Sequence, residues 1–410
     1  MQHRPLWWDA AQRPDLTVQK RVPTRTDVVV IGGGYTGISA ARTLAQAGAT
    51  VTVLERDGLG AGGATRNGGL VLPGFKRDAR SLVKQLGAVR ARELHTASRA
   101  AVTYVEEVLQ AEGVDADFQR SGHLLLAAKP AHYGELEREA ELLEKAFRHS
   151  TRLVPPARIG EELGATAYHG ALLDPEGGGV NPGKLYWALA AAAQRGGAEL
   201  VEDVTVHEVR RSAGRFMVRT SRGTLGAGHV VVATDGHADG LVRGLRRRLS
   251  PATGFVVATA PLGPSVARSL IPRDRVVSDA RHLQVYFRIT ADTRMVFGGK
   301  AEVGKVKVGE TIKQLVDTMC TLFPRLLGTD IDYHWSGHIA ITKDQMPHAG
   351  MRDGVHYAVG FNGQGLALAV YLGSRLGRMV TTGKRGDLEP FLRLPFPAIP
   401  LLHRLKTRLR

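Results

Sequence analysis

The sequence predicts a Rossmann-like α/β domain assembled from discontinuous segments, with an inserted substrate domain of antiparallel sheet and helices. Three observations carry the prediction. A strand, glycine turn, helix and strand follow one another over Asp27–Glu55; the alternation returns at Leu172–Thr234; and a last strand, glycine turn and apolar helix occupy Val355–Gly383. Between these pieces the chain changes period.

At 410 residues the chain exceeds one ordinary core, so two joined domains are expected. Asp27–Ile31 reads as an apolar strand, Tyr35–Ala47 as an alanine-rich helix and Ala49–Glu55 as a second strand. The loop over Asp57–Gly69 has no helical period; two stretches, 77–112 and 129–148, do, and read as the amphipathic helices of a cap. Pro182 opens a further helix that ends at Gly196 and Gly197, and the buried strand His229–Thr234 follows a hairpin-like pair. From Pro251 to Tyr333 alternating strands dominate, with the helix that carries Cys320 among them. The expected nucleotide-binding domain therefore comprises 20–80, 150–250 and 336–385, the substrate or cap domain 81–149 and 251–335, and a basic tail 386–410.

The formal charge of +16 admits nucleic acid, a membrane surface or an anionic ligand as partner. Basic residues are dispersed, aromatic content is 6%, and no nucleic-acid-binding pattern accompanies them, so nucleic acid is not expected. The end of the chain differs: Leu401, Leu402, Leu405 and Leu409 share a helical face beside Arg404, Lys406, Arg408 and Arg410, which would suit peripheral membrane contact or simple packing on the chain's own domain. The N-terminus lacks the pattern of an export signal, which places the protein in the cytoplasm. A single cysteine excludes disulfides within the chain and cysteine-based zinc sites, and Cys320 reads as a core thiol. His334 and His338 stand four apart in a stretch with strand and turn character, so no metal is expected.

Gly32, Gly34 and Gly37 have the G-x-G-x-x-G spacing that lets a pyrophosphate approach the backbone at a helix start. Glu55, at the end of the next strand, is placed to accept from ribose hydroxyls. Gly58, Gly60 and Gly63 repeat the spacing without a helix after them, so they form a loop, with Arg66 and Asn67 as donors near the cofactor. The first fingerprint serves NAD and FAD alike. The second glycine turn, Gly360–Gly365, opens an apolar helix whose terminal amides suit the pyrimidine edge of a flavin, though a helix start without ligand has the same spacing.

The segments Asp27–Glu55, Gly63–Gly69, Tyr286–Gly299, His334–Gly350 and Tyr357–Ala369 together resemble the FAD-dependent oxidoreductases of the D-amino-acid oxidase, glycine oxidase and sarcosine oxidase family, in particular the branch containing gamma-glutamylputrescine oxidase. The resemblance implies that Gly32, Gly34, Tyr35, Thr36 and Gly37 hold the FAD pyrophosphate, with Glu55 and Arg56 at the adenosine end and the Val204 backbone at the adenine. Ala64, Thr65, Arg66, Asn67, Gly68 and Gly69 would run beside the flavin, Ala233, Thr234 and Gly337 would border it, and Phe361, Asn362, Gly363, Gln364, Gly365 and Leu366 would close over its pyrimidine edge. No cysteine stands in the segment where sarcosine oxidases attach flavin, so the FAD would be noncovalent.

The reaction implied is hydride transfer from the carbon beside an amine or amino-acid nitrogen to flavin N5. Hydrolysis of the imine follows, and oxygen reoxidises the flavin, giving hydrogen peroxide. A dehydrogenase passing electrons to a quinone or carrier protein is the alternative. Tyr286 and Arg288 share one face of a strand, where Arg288 could pair with a substrate carboxylate or face solvent. His338 is placed near the flavin by its segment, and Lys343 or Lys300 would assist electron transfer to oxygen.

Overall fold

In the computed structural model, residues 1–400 are described apart from 166, 238–239, 280–284 and 303–306, with backbone alone at 300–302. The basic end of the tail, 401–410, lies outside the described residues.

Val28, Val29, Val30 and Ile31 are all buried because helices or further chain cover both faces of their strand. That strand, Arg25–Ile31, is the centre of the first sheet. It pairs in parallel with Val51–Leu54 on one side and Gly223–Val232 on the other. Glu199–Val201 extends the sheet beyond Val51–Leu54, and Val355–Val359 then His348–Arg352 extend it beyond Gly223–Val232. Strands drawn from positions 25 to 359 thus lie side by side, and the sheet needs nearly the whole chain. Helices Tyr35–Gln46, Pro182–Arg195 and Leu366–Thr382 share one hydrophobic core against it.

The second sheet has the order Ile331–Thr342, Leu249–Thr259, Met295–Glu302, Tyr286–Ile289, Val276–Asp279, His123–Leu126, Ala171–Asp174 and Arg152–Val154. Every neighbour is antiparallel except Val276–Asp279 with His123–Leu126. One row across it has consequences for the site: Tyr286 opposes Ser278, Ser278 lies beside Leu125, and Leu125 opposes Leu172. One pleat further along, His123 opposes Asp174. Residues two apart share a face, so both rows look the same way.

Three expectations are corrected. Strands Arg152–Val154 and Ala171–Asp174 belong to the second sheet, although 150–250 was assigned to the nucleotide-binding part, and the boundary at 336 falls inside the continuous strand Ile331–Thr342. The stretch 77–112 is two helices, Ala79–Leu86 and Ala88–Glu112, broken where Gly87 adopts a φ of 80°. These helices and Pro130–Phe147 do not form a separate cap core. Ala101, Val105 and Leu136 pack in the same cluster as Ile38, Leu44 and Leu372 of the nucleotide-side helices.

The N-terminal segment ties the two sheets. Gln2 bridges Tyr333 and Val18 bridges Leu200, while Trp7 is buried between the sheets against Trp335. Trp7 Nε1 donates to the Asn67 carbonyl at 2.7 Å and Trp8 Nε1 to Thr65 Oγ1 at 2.9 Å.

Candidate active site

The first glycine turn is shaped by two close approaches. A Cβ on Gly37 would stand 1.9 Å from the Gly32 carbonyl oxygen, whereas one on Gly34 would meet nothing within 4 Å. The turn therefore packs tightly on its helix and stays open toward the cavity in front of it. Glu55 Oε2 accepts from Gly33 N at 2.7 Å and Oε1 from Asp57 N at 3.0 Å, which ties the next strand to the turn. Burial raises the pKa of its carboxyl. Tyr186, which the sequence did not mark, donates from its hydroxyl to the Gly33 carbonyl at 2.7 Å and supports the turn from behind.

A cavity of about 1420 Å³ starts here and runs to the second sheet. Gly32, Gly34, Tyr35 and Thr36 line it, as do Glu55, Arg56 and Val204 near one another and Ala233 and Thr234 on the adjoining strand end. Ala64, Asn67 and Gly68 continue the wall, followed by Phe361, Gly363, Gln364, Gly365 and Leu366. Tyr286 and His338 also face it.

The second glycine turn is held by Asp235, another residue the sequence did not mark. Its buried carboxylate accepts from Gly360 N at 2.7 Å, and the turn then needs left-handed backbone at Asn362 and Gly363. Asn362 does not reach the cavity wall; its Oδ1 accepts from Thr342 N at 2.8 Å and fixes the turn to the second sheet. The helix starts at Leu366, and its first amides, lacking intrahelical acceptors, open beside the cavity.

These features fit FAD. Gly34 offers open backbone for a pyrophosphate, Leu366–Thr382 offers a helix start at the other end, and on the wall between, Thr234 Oγ1 is a buried hydroxyl without a hydrogen-bond partner among the described residues. Gly32–Thr36 would hold the diphosphate, Glu55 and the Val204 carbonyl the adenosine end, and Gly363–Leu366 the flavin. The Val204 N–H is already committed to the Glu55 carbonyl at 2.8 Å, so it is the Val204 carbonyl that would face the adenine. Arg56 bonds Asp57 at 3.0 Å.

Several expected contacts are spent elsewhere. Arg66 donates to the carbonyls of Ala61 and Ser336 and lies over Trp8, so it braces its loop instead of offering a donor to the ring. Asn67 likewise donates to the Gly63 and Ala64 carbonyls and accepts from Gly69 N. Thr65 donates to the Gly60 carbonyl, and Gly337 passes against Arg66. Gly69 sits beneath Arg288.

Arg288 is not a substrate anchor in this geometry. Its side chain is buried, donating from Nε to the Gly68 carbonyl at 3.0 Å and from Nη2 to the Val180 carbonyl at 2.7 Å, with Trp7 against its face. Burial pushes its pKa down to about 10. Lys343 is exposed on the turn after Ile331–Thr342, away from the cavity wall, and the Lys300 side chain lies outside the described residues. His338 bonds Thr253 Oγ1 at 3.3 Å, while His334 stacks on His3 and not with His338. Cys320 is half-buried on Val308–Leu322 with Sγ 3.8 Å from the Leu326 carbonyl, apart from the cavity.

Tyr286 keeps its place by means of glycine. A Cβ on Gly68 would lie 2.5 Å from its ring and one on Gly298 2.2 Å, so the ring stands between two bare backbones. Beyond it the row Tyr286, Ser278, Leu125 and Leu172 forms a floor of the cavity, and His123, Asp174 and His95 supply polar groups there. No motif marks these residues, because the register that gathers them belongs to the sheet.

The description "FAD dependent oxidoreductase" matches residues 27–379 of the chain. Gamma-glutamylputrescine oxidoreductase of Escherichia coli (strain K12) is 33% identical over 367 residues, covering 89% of this chain and 85% of that protein. Glycine oxidase of Geobacillus kaustophilus (strain HTA426) is 25% identical over 90% of this chain and 96% of its own. The crystal structure of glycine oxidase from Geobacillus kaustophilus superimposes with a TM-score of 0.77 at 24% identity, covering 92% of this chain and all of that one. Fold, fingerprint and coverage agree, and the chain belongs to the family of FAD-dependent oxidoreductases.

Proposed function

We propose that the protein oxidises the C–N bond of an extended amine or amino acid and uses oxygen as electron acceptor. FAD, when bound, supplies the two-electron oxidant for the bond, and oxygen regains the electrons as hydrogen peroxide. The carbon–nitrogen double bond left in the substrate is hydrolysed by water to a carbonyl and a free amine.

The observation that carries this reading is the cavity floor. From Tyr286 to Leu172 it crosses three strand spacings, about 14 Å, and is apolar at Leu125 and Leu172 before the polar row of His123 and Asp174. A long amine with an aliphatic stem and a polar far end fits that pattern. Gamma-glutamylputrescine, the compound in the name of the Escherichia coli relative, has that form.

Orientation falls to the chain's own residues. Tyr286 and the backbone of Gly68 present a closed wall, and Gln364 Nε2 donates to the Pro73 carbonyl at 3.3 Å and fixes the facing loop, so the substrate is oriented between the two. Anaerobic addition of amines, polyamines, their γ-glutamyl derivatives and D- and L-amino acids tests the reading by bleaching of the flavin. An extended amine should bleach it fastest, and air should then release peroxide. Bleaching by short amino acids alone refutes the extended-substrate reading, and reduced flavin that persists in air refutes oxygen as acceptor.

A further inference from the structure

A second row of side chains crosses the cavity floor one pleat beyond the apolar one. His123 opposes Asp174 across two antiparallel strands. On the other side of Asp174 the pairing of Arg152 with Leu173, carried one residue further, sets Thr151 opposite it. Residues that oppose one another share a face, so His123, Asp174 and Thr151 stand in line, and all three line the cavity.

The row is braced from the helix side and open toward the cavity. His95 comes from Ala88–Glu112 and His149 follows Pro130–Phe147. Asp174 Oδ1 accepts from His149 Nε2 at 3.1 Å and from the Glu176 N–H at 3.0 Å, while His95 Nε2 lies 2.8 Å from His149 Nδ1. Both bonds to Asp174 fall on one oxygen. Its Oδ2 has no hydrogen-bond partner among the described residues, although the side chain is 16% exposed. Thr151 Oγ1 is buried and also lacks a partner among the described residues. His123 is already engaged, with Nε2 2.8 Å from Ser278 Oγ.

The charge here is negative. Arg99 pairs with Glu176, so with Asp174 the cluster holds two carboxylates and one guanidinium. Burial works against the charge of Asp174, but the hydrogen bonds from His149 and Glu176 N hold its carboxyl below the usual range. His95 and His123 stay neutral near pH 7, because burial pushes both down to about 4. Lys76, on the same wall, has Asp279 as its charged neighbour. A half-open carboxylate in such surroundings is stabilised by a cation that also donates hydrogen bonds.

Two lengths define that cation. Side chains that oppose one another across strands stand about 4.5–5.5 Å apart at Cβ. A nitrogen holding two acceptors at about 2.8 Å each spans up to about 5.6 Å, so one ammonium reaches Asp174 Oδ2 and Thr151 Oγ1 together. From Tyr286, Asp174 is three strand spacings across and two residues along, about 16 Å. A hydrogen bond at one end and a ring contact at the other take up about 6.5 Å. Roughly eight bonds of extended chain, at about 1.2 Å per bond, fill the rest.

We propose that Asp174 and Thr151 form a second ammonium site, which selects substrates that carry an ammonium group about eight to ten bonds from the nitrogen of the oxidised C–N bond. Asp174 Oδ2 and Thr151 Oγ1 each accept one of its N–H bonds, and Leu125 and Leu172 hold the apolar stem. The far ammonium belongs to the amino-acid end of a γ-glutamyl amine or to the far end of a polyamine; a short diamine such as putrescine does not reach both ends. This assignment rests on the amine reading of the preceding subsection.

The test uses the holoenzyme and two ligands without an oxidisable amine, γ-glutamylbutylamide and glutarylbutylamide, which differ in the α-ammonium alone. Calorimetry at pH 7 should show the first binding about 10- to 150-fold more tightly, the range of a hydrogen bond to a charged group. That comparison needs no variant. Asp174→Asn keeps an acceptor for His149 and should bring the two ligands within about threefold of each other, whereas Thr151→Val should weaken γ-glutamylbutylamide alone by about three- to tenfold. Equal affinities in wild type, a preference that survives in Asp174→Asn, or unchanged binding by Thr151→Val overturns the proposal. Anaerobic flavin bleaching identifies the source of the ammonium. Of γ-glutamylputrescine and spermidine, the one that fills the site should lose about tenfold or more in kcat/KM in Asp174→Asn, while putrescine keeps its rate. Loss by neither overturns the proposal. If no amine bleaches the wild-type flavin while the two amides bind as stated, the amine-oxidation reading falls and the ammonium site stands; bleaching by amines with amides that bind alike is the reverse.

Discussion

Replacing Arg288 by methionine removes two hydrogen bonds from a charged, buried donor and keeps most of the side-chain volume. The Gly68 and Val180 carbonyls lose their guanidinium partners at 3.0 and 2.7 Å. Hydrogen bonds to charged groups contribute about 1.5–3 kcal/mol each, and relief of the buried charge returns part, leaving a net loss of about 2–4 kcal/mol. For 410 residues an unfolding entropy of about 2.1 cal/mol/K per residue gives roughly 0.9 kcal/mol/K. Arg288→Met should therefore melt about 2–5 °C below wild type, followed by tryptophan fluorescence at saturating FAD. The Gly68 wall beside Tyr286 loosens in the same variant, so flavin bleaching should slow for every substrate. An unchanged melting temperature, with loss confined to substrates that carry a carboxylate, would sink this reasoning and restore Arg288 as an anchor.

Gly37→Ala forces a Cβ against the Gly32 carbonyl and should purify with most of its flavin missing; a full flavin-to-protein absorbance ratio contradicts the packing described. Cys320 is apart from the cavity, so acid precipitation should leave all the flavin in the supernatant, and yellow pellets from wild type but not from Cys320→Ala would reverse that conclusion. Burial pushes the pKa of His123 down to about 4. The unfolded imidazole binds its proton near pH 6.5, so the stability of the neutral folded form is full above that pH and is lost as pH falls toward 4, by about 3 kcal/mol. His123→Gln should therefore lose less stability than wild type between pH 7 and 4.5, and parallel denaturation profiles for the two proteins would refute the assignment.

The strand at Asp27 and the turn at Gly32 were legible because local rules decide them: an apolar run, glycines at fixed spacing, a helix and a carboxylate. The Gly360 turn was legible for the same reason. The roles of Arg66, Asn67 and Arg288 were not. Their donors meet backbone carbonyls brought close by folding, and a sequence does not show which acceptors a guanidinium will find. The cap was misread for a related reason. Helical period in 88–112 marks an apolar face but not the partner it packs on, and that partner is Leu366–Thr382. His95, His149 and Asp174 come from three elements and carry no shared spacing, so only the sheet register and helix packing assemble them.

The sheet that receives the nucleotide also sets an order in time. Its strands lie between Arg25 and Val359, and the second glycine turn comes just after the last of them. A ribosome makes the fingerprint early, yet the groove that grips FAD closes only when some three hundred further residues have emerged. Trp7 and Trp8 wait as well, because the loop at Thr65–Asn67 and the strand at Trp335 that surround them must first meet. Cofactor capture in this fold is accordingly an event that follows synthesis, and the nascent chain must keep its apolar first strand from other partners until then.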